Sequence, residues 1–164
     1  MNFGNAGRLL SPLLGATFAR SLPIVRMLLD HGADPNAAYD YELPLLAAVS
    51  NRLEEIALLL LDRGARPGAN ELWTAVYYRM NRLTKKLVEK GAEIDDEVPA
   101  GTPLTAAVDN GDVEMVQYLL ARGADPEAET NHSQGSPIHH AEHDHRKRIL
   151  AMLLAARDKL ASHR

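Results

Sequence analysis

The chain has no cysteine, so disulfides and thiolate metal sites are excluded and cysteine usage says nothing of redox compartment. Aromatic residues are scarce as well, at 5% of the chain. The apolar content is carried by Leu, Ala and Val, a mix that favours helices packed through small side chains over a sheet sandwich. Positive charge is in short supply: 18 Lys and Arg stand against 22 Asp and Glu, a net charge of −4, which argues against general nucleic-acid binding. No apolar run reaches the roughly 18 residues that a membrane span needs. No glycine falls in a G-x-x-x-x-G-K phosphate loop, and no G-x-S-x-G or other nucleophile has a base at useful spacing. With 164 residues, 46% of them hydrophobic, the expectation is one soluble globular domain with its own core.

What the chain has in quantity is self-similarity. "LLDHGADPNA" at Leu28 returns as "LLDRGARPGA" at Leu60, "LVEKGAEIDD" at Leu87 and "LLARGADPEA" at Leu119, with the Gly-Ala pairs spaced by 32, 27 and 32 residues. A second phrase lies upstream: "SPLLGA" at Ser11, "LPLLAA" at Leu43, "TPLTAA" at Thr102 and "SPIHHA" at Ser136. Pro12 and Gly32, Pro44 and Gly64, and Pro103 and Gly123 are each 20 residues apart. A unit of about 27 residues joined by variable connectors therefore recurs, and periodicity of that order marks a stacked repeat. Proline in the first helical turn gives up only an amide hydrogen that would be orphaned there, and the Ser or Thr before it can cap the helix. Small residues such as Ala47, Ala48, Ala106 and Ala107 let neighbouring helices approach. A second helix follows, with apolar residues at helical spacing as in Val113, Val116, Leu119 and Leu120, and glycine ends it as a C-cap residue. The unit reads helix, turn, helix, loop. The start, "MNFGNAGRLLSPLLGATFA", loosely imitates a secretory signal with small residues near Ala19; because residues 11–37 align with the later copies, cleavage there is expected to cut a structural helix in half, and a cytoplasmic protein is expected.

These two phrases resemble the T-P-L-H-x-A and G-A-D-x-N phrases of ankyrin repeats, and they recur over most of the chain. The resemblance implies an all-α solenoid of stacked helix-turn-helix repeats joined by short β-hairpins, each repeat burying an apolar face that it cannot bury alone. Five repeats are expected, at about 11–37, 43–69, 70–96, 102–128 and 136–157, in one domain over 1–164 with an N-terminal cap at 1–10 and a tail at 158–164. Two departures stand out. The 27-residue interval leaves no room for a hairpin between Ala69 and Asn70, and the third unit reads "NELWTAVYY", with Trp73 where the family carries His. The last unit lacks the Gly-Ala ending and runs into "AARDKLASHR", whose polar residues suit a terminal cap.

The resemblance places partner binding on a concave face made by the first helices and the hairpin tips. At those positions lie Phe18, Asn51, Tyr77, Tyr78, Arg79, Asp109, Asn110, His143 and Asp144, and in the connectors Tyr39, Asp40, Tyr41, Glu42, Asp95, Asp96, Glu97 and His132. Four of the five tyrosines fall in this set, and tyrosine is a common interface anchor; the alternative is that Tyr78 and Trp73 fill the space of the missing hairpin, and for Trp73 a core position is preferred. From Glu93 to Glu129 ten acidic residues face Arg122 alone, which reads either as a solvated surface or as one shaped for a basic partner. His139, Glu142 and His143 follow the H-x-x-E-H order of some zinc proteases; on a helix the two histidines are one turn apart, but no third ligand stands at a recognisable spacing. The reading is a non-enzymatic protein-binding module, without cofactor, nucleic acid or membrane, monomeric when free. By analogy with small bacterial ankyrin proteins it would be an inhibitor or immunity-type neutralising protein; a metal-dependent hydrolase on His139, Glu142 and His143 and a scaffold without a dominant site are the alternatives.

Overall fold

The computed structural model describes residues 11–39, 41–128 and 135–162. The chain divides into two compact units, Met1–Arg66 and Pro67–Arg164. Among the described residues the first holds α1 (Pro12–Phe18), α2 (Leu22–Asp30), α3 (Pro44–Ser50) and α4 (Glu54–Asp62). The second holds α5 (Ala69–Tyr77), α6 (Asn81–Glu89), α7 (Pro103–Asn110), α8 (Val113–Ala121), α9 (Pro137–His143) and α10 (Lys147–Ala161). They come in pairs, a first helix followed by a second packed against it. No strand occurs among the described residues; isolated antiparallel bridges join Tyr39 to Glu42 and Val98 to Gly101 in two connectors, and residues 63–68 carry none. This is an all-α repeat fold, and the missing hairpin falls in the short interval. No helix among the described residues is long and apolar enough to cross a membrane.

The repeated phrases are the starts and stops of these helices. Ser11, Thr102 and Ser136 each accept, on the side-chain oxygen, the amide three residues on, with proline as the first helical residue; such a cap stabilises a helix by about 1 kcal/mol. The Gly-Ala pair closes the second helices. In α8 the Gly123 amide donates to the Leu120 carbonyl and the Ala124 amide to Leu119, and α2, α4 and α6 end in the same pair of bonds. This is the Schellman motif, whose C′ residue must be left-handed; Gly32, Gly64, Gly91 and Gly123 have φ between 86° and 95°.

The first helices end in the same motif with a different residue. Arg20, Arg52, Arg79 and His145 have φ of 56°, 57°, 57° and 55°, and only the fourth pair has glycine there, Gly111 at 65°. An L-residue in this region costs roughly 1–2 kcal/mol, so the turns are held by the bonds and packing around them. The third pair starts differently as well. Its first helix begins at Ala69, behind Gly68, whose amide donates to the Glu71 carboxylate at 3.2 Å. Glycine can make only this half of a capping box. Glu71 is 4% exposed, and burial, ahead of its two backbone hydrogen bonds, pushes its pKa up.

The cores follow the small-residue pattern. In the second unit Ala75, Ala107 and Ala141 are fully buried where α5, α7 and α9 lie side by side, and Leu104, Val116, Leu119 and Leu153 fill the space beneath. In the first unit Ala47, Ala48, Leu14, Val25 and Leu60 do the same. Full burial of each such leucine contributes about 2 kcal/mol.

Candidate functional site

The end of α5 carries three aromatic side chains in contact. Trp73 and Tyr77 are one helical turn apart, which puts them on one face; their rings stack at 4.9 Å with 13° between planes. The Tyr77 ring meets Tyr78 edge to face at 5.1 Å. Trp73 is half-buried against the core of the second unit, and its buried indole N–H has no hydrogen-bond partner among the described residues. Tyr77 and Tyr78 are 48% and 36% exposed. The arrangement is an aromatic surface rooted by its innermost ring.

Polar groups from the neighbouring turns fix that helix end. The last carbonyls of a helix have no intrahelical partner. The Asn110 side-chain amide donates to those of Val76 and Tyr77 at 2.9 and 3.1 Å. Arg79, in its left-handed turn, donates to the Asn110 carbonyl, and Arg146 donates to the Asp109 carbonyl at 2.7 Å. Both cations thus sit at the negative end of the α7 dipole. The Asp109 carboxylate accepts from His140 Nδ1 at 2.8 Å. Asp144 accepts from His143 Nδ1 at 3.2 Å and Arg146 Nε at 3.3 Å; these two hydrogen bonds, His143 first, hold its carboxyl below the usual range. His139, His140, His143 and Asp144 line a pocket of about 120 Å³.

The second unit thus brings together Tyr77, Tyr78, Arg79, Asp109, Asn110, His143 and Asp144. Asp95 is engaged elsewhere: its carboxylate accepts the Asp125 amide at 2.9 Å. Asp96 and Glu97 are exposed. In the first unit Phe18 is exposed at the end of α1, Asn51 donates to the Ala47 carbonyl at 2.8 Å, and Tyr39 bridges Glu42. Tyr41 is 99% exposed at the bridge tip. Asp40 and His132 lie outside the described residues. Tyr118, the one tyrosine on a second helix, lies between Lys85 and Arg122. His139, Glu142 and His143 are exposed on α9, and among the described residues no three His, Asp or Glu side chains form a group that could hold a metal ion. Sequence reasoning left Arg146 out of the site, because the left-handed turn at His145 that places it has no signal in the sequence.

A family profile described as "Ankyrin repeats (3 copies)" matches residues 72–162, and one described as "Ankyrin repeat" matches residues 9–40. The chain belongs to the ankyrin-repeat family. Ankyrin repeats are protein–protein interaction modules, and the function class of this ankyrin protein is accordingly protein binding. No curated protein matches the chain.

Proposed function

We propose that this ankyrin protein is a non-enzymatic, cytoplasmic neutralising protein of the inhibitor or immunity type. It holds its target on the first helices of the second unit, with Tyr77 and Tyr78 as anchors. The observation that carries this reading is the stacked array of Trp73, Tyr77 and Tyr78, exposed at one end and packed on the core at the other. Large aromatic rings already held in place lose little conformational entropy on binding, which is what an anchor requires. Asp96, Glu97, Asp109 and Asp144 set a negative field around it that steers a basic target. In the first unit Phe18, Tyr39, Tyr41, Glu42 and Asn51 form a second set of contacts on the same reading. Each of the five helix pairs counts as one repeat.

The test is paired capture from the cell that encodes the chain, with the parent protein and the Tyr77→Ala/Tyr78→Ala variant at matched circular dichroism. A basic protein held by the parent, lost by the variant and inhibited by the parent in its own activity supports the reading. A target held equally by both removes the tyrosines from the site, and one whose activity is unchanged when bound removes the neutralising role.

A further inference from the structure

α10 runs for 15 residues, whereas α2, α4, α6 and α8 stop after nine. The reason is in the sequence: after Leu154 the chain reads "AARDKLAS", with no Gly-Ala to close the helix. A groove of about 610 Å³ lies along α8 and α10, lined by Val113, Gln117 and Leu120 from the first and Arg148, Ala151, Met152 and Ala155 from the second. Through Leu120 it continues into a hollow of about 280 Å³ over Gly123 and Ala124, walled by Ala156, Lys159 and Leu160 of the added turns. Leu160 is 42% exposed.

Arg148, Ala151, Met152, Ala155 and Lys159 follow helical spacing along one face of α10. Ala151 and Ala155 are small and exposed, which leaves the floor of the groove open, and Val113, Leu120 and Met152 supply apolar wall around the one amide, Gln117. The charges on this stripe are both positive and stand at its two ends, about 16 Å apart at 1.5 Å of rise per residue.

We propose that this groove is a second docking surface, which receives an amphipathic helix of a partner protein with an acidic residue at each end of its apolar stripe. Apolar burial supplies the affinity, and Arg148 and Lys159 fix the position of the helix along the groove. A second copy of this chain fits poorly, because antiparallel pairing of two α10 stripes sets Arg148 of one against Lys159 of the other. The groove lies on second helices, so it does not depend on the tyrosine site.

The test uses the full chain and a fluorescent, stapled 15-residue helix with leucine along one face and glutamate at both ends of that face, beside the same peptide with lysine at the ends. Anisotropy should show the glutamate peptide bound at least tenfold more tightly, and Arg148→Glu/Lys159→Glu should reverse the preference. Ala155→Trp should fill the groove and cost tenfold or more; Ala151→Glu, on an exposed position, does so without reaching the core. Tyr77→Ala/Tyr78→Ala should change nothing. Equal binding of the two peptides, or full binding by both groove variants, overturns the proposal. So does a concentration-dependent dimer in sedimentation that the glutamate peptide dissociates, since that assigns the groove to a second copy.

Discussion

Asn36 and Asp95 occupy the same place in two copies of the loop that follows the Gly-Ala pair, and they do the same work with different chemistry. Asn36 accepts the Arg66 amide at 2.9 Å and donates its own amide to the Gly64 carbonyl at 3.0 Å, stitching one loop to the next. Asp95 accepts the Asp125 amide at 2.9 Å, but an ionised carboxylate has no hydrogen to give to the carbonyl of Gly123, which stands where Gly64 does. Burial pushes the Asp95 pKa up; the bond from the Asp125 amide opposes this and the Asp125 charge adds to it. Asp95→Asn restores the donor and removes the charge. One neutral hydrogen bond is worth about 0.5–1.5 kcal/mol, so the variant should be about 1 kcal/mol more stable at pH 7 and melt about 2–4 °C higher for a chain of this size. The pH dependence gives the sharper check. A carboxyl whose folded pKa lies above its unfolded value costs stability when ionised, and that cost disappears as pH falls through the folded pKa towards the unfolded value of 3.8. The advantage of Asn should therefore be full at pH 7 and shrink as the medium is acidified. Urea titrations followed by circular dichroism across that range measure it. A variant less stable than the parent at pH 7, or an advantage that grows in acid, refutes the reasoning.

Glu71→Ala leaves the Gly68 amide without its acceptor and should cost about 1 kcal/mol. Glu71→Gln keeps an acceptor and removes a buried charge, so it should match or exceed the parent at neutral pH. Its advantage should fade towards the unfolded pKa of 4.5; chemical denaturation of the two variants separates these effects. Gly111→Ala should cost about 2 kcal/mol, since its φ is left-handed and a Cβ there would collide with the Arg146 guanidinium. The expelled Arg146 would also release the Asp109 carbonyl, visible as faster amide exchange at the end of α7. Asn110→Ala removes both donors from the end of α5 and should cost about 1–2 kcal/mol, with a change in Trp73 fluorescence as the aromatic array loosens.

The repeat was legible because its punctuation is chemical: in three of the five pairs a hydroxyl residue and proline start the first helix, and in four of the five glycine stops the second. The turn between the helices was not legible, because arginine has no special tolerance for a left-handed φ. Arg20, Arg52 and Arg79 are held there by bonds that only the folded chain supplies. The early start of α5 was hidden in the same way, since glycine before Ala69 gives no sign of a cap until Glu71 is seen reaching back. Trp73 was placed at the family's histidine position, but its stacking on Tyr77 depends on the side-chain directions of a helix already packed. The length of α10 was signalled by a missing Gly-Ala pair. The groove beside it was not, because a groove belongs to two helices and the residues that line it are ordinary alanines.

The structure also changes how charge should enter binding. Two of the acidic residues that would attract a basic target are engaged within the chain, Asp109 with His140 and Asp144 with His143 and Arg146, and Asp95, beside Asp96 in the sequence, is held by a loop amide. A carboxylate already accepting hydrogen bonds keeps its charge and so still steers an approaching target, but it gains less from a new short contact because an existing one must be disturbed. Steering acts on the association rate and fades with salt, while buried aromatic anchors act on dissociation. Once a target is in hand, raising the salt from about 50 to 300 mM should therefore slow association with little change in dissociation, screening being strong beyond the Debye length of roughly 10 Å at 0.1 M. Tyr77→Ala/Tyr78→Ala should do the reverse, with dissociation at least thirtyfold faster, the equivalent of about 2 kcal/mol. Surface plasmon resonance measures both rates at once, and a dissociation rate that rises with salt as steeply as it does with loss of the tyrosines would move the energy of binding from the rings to the carboxylates.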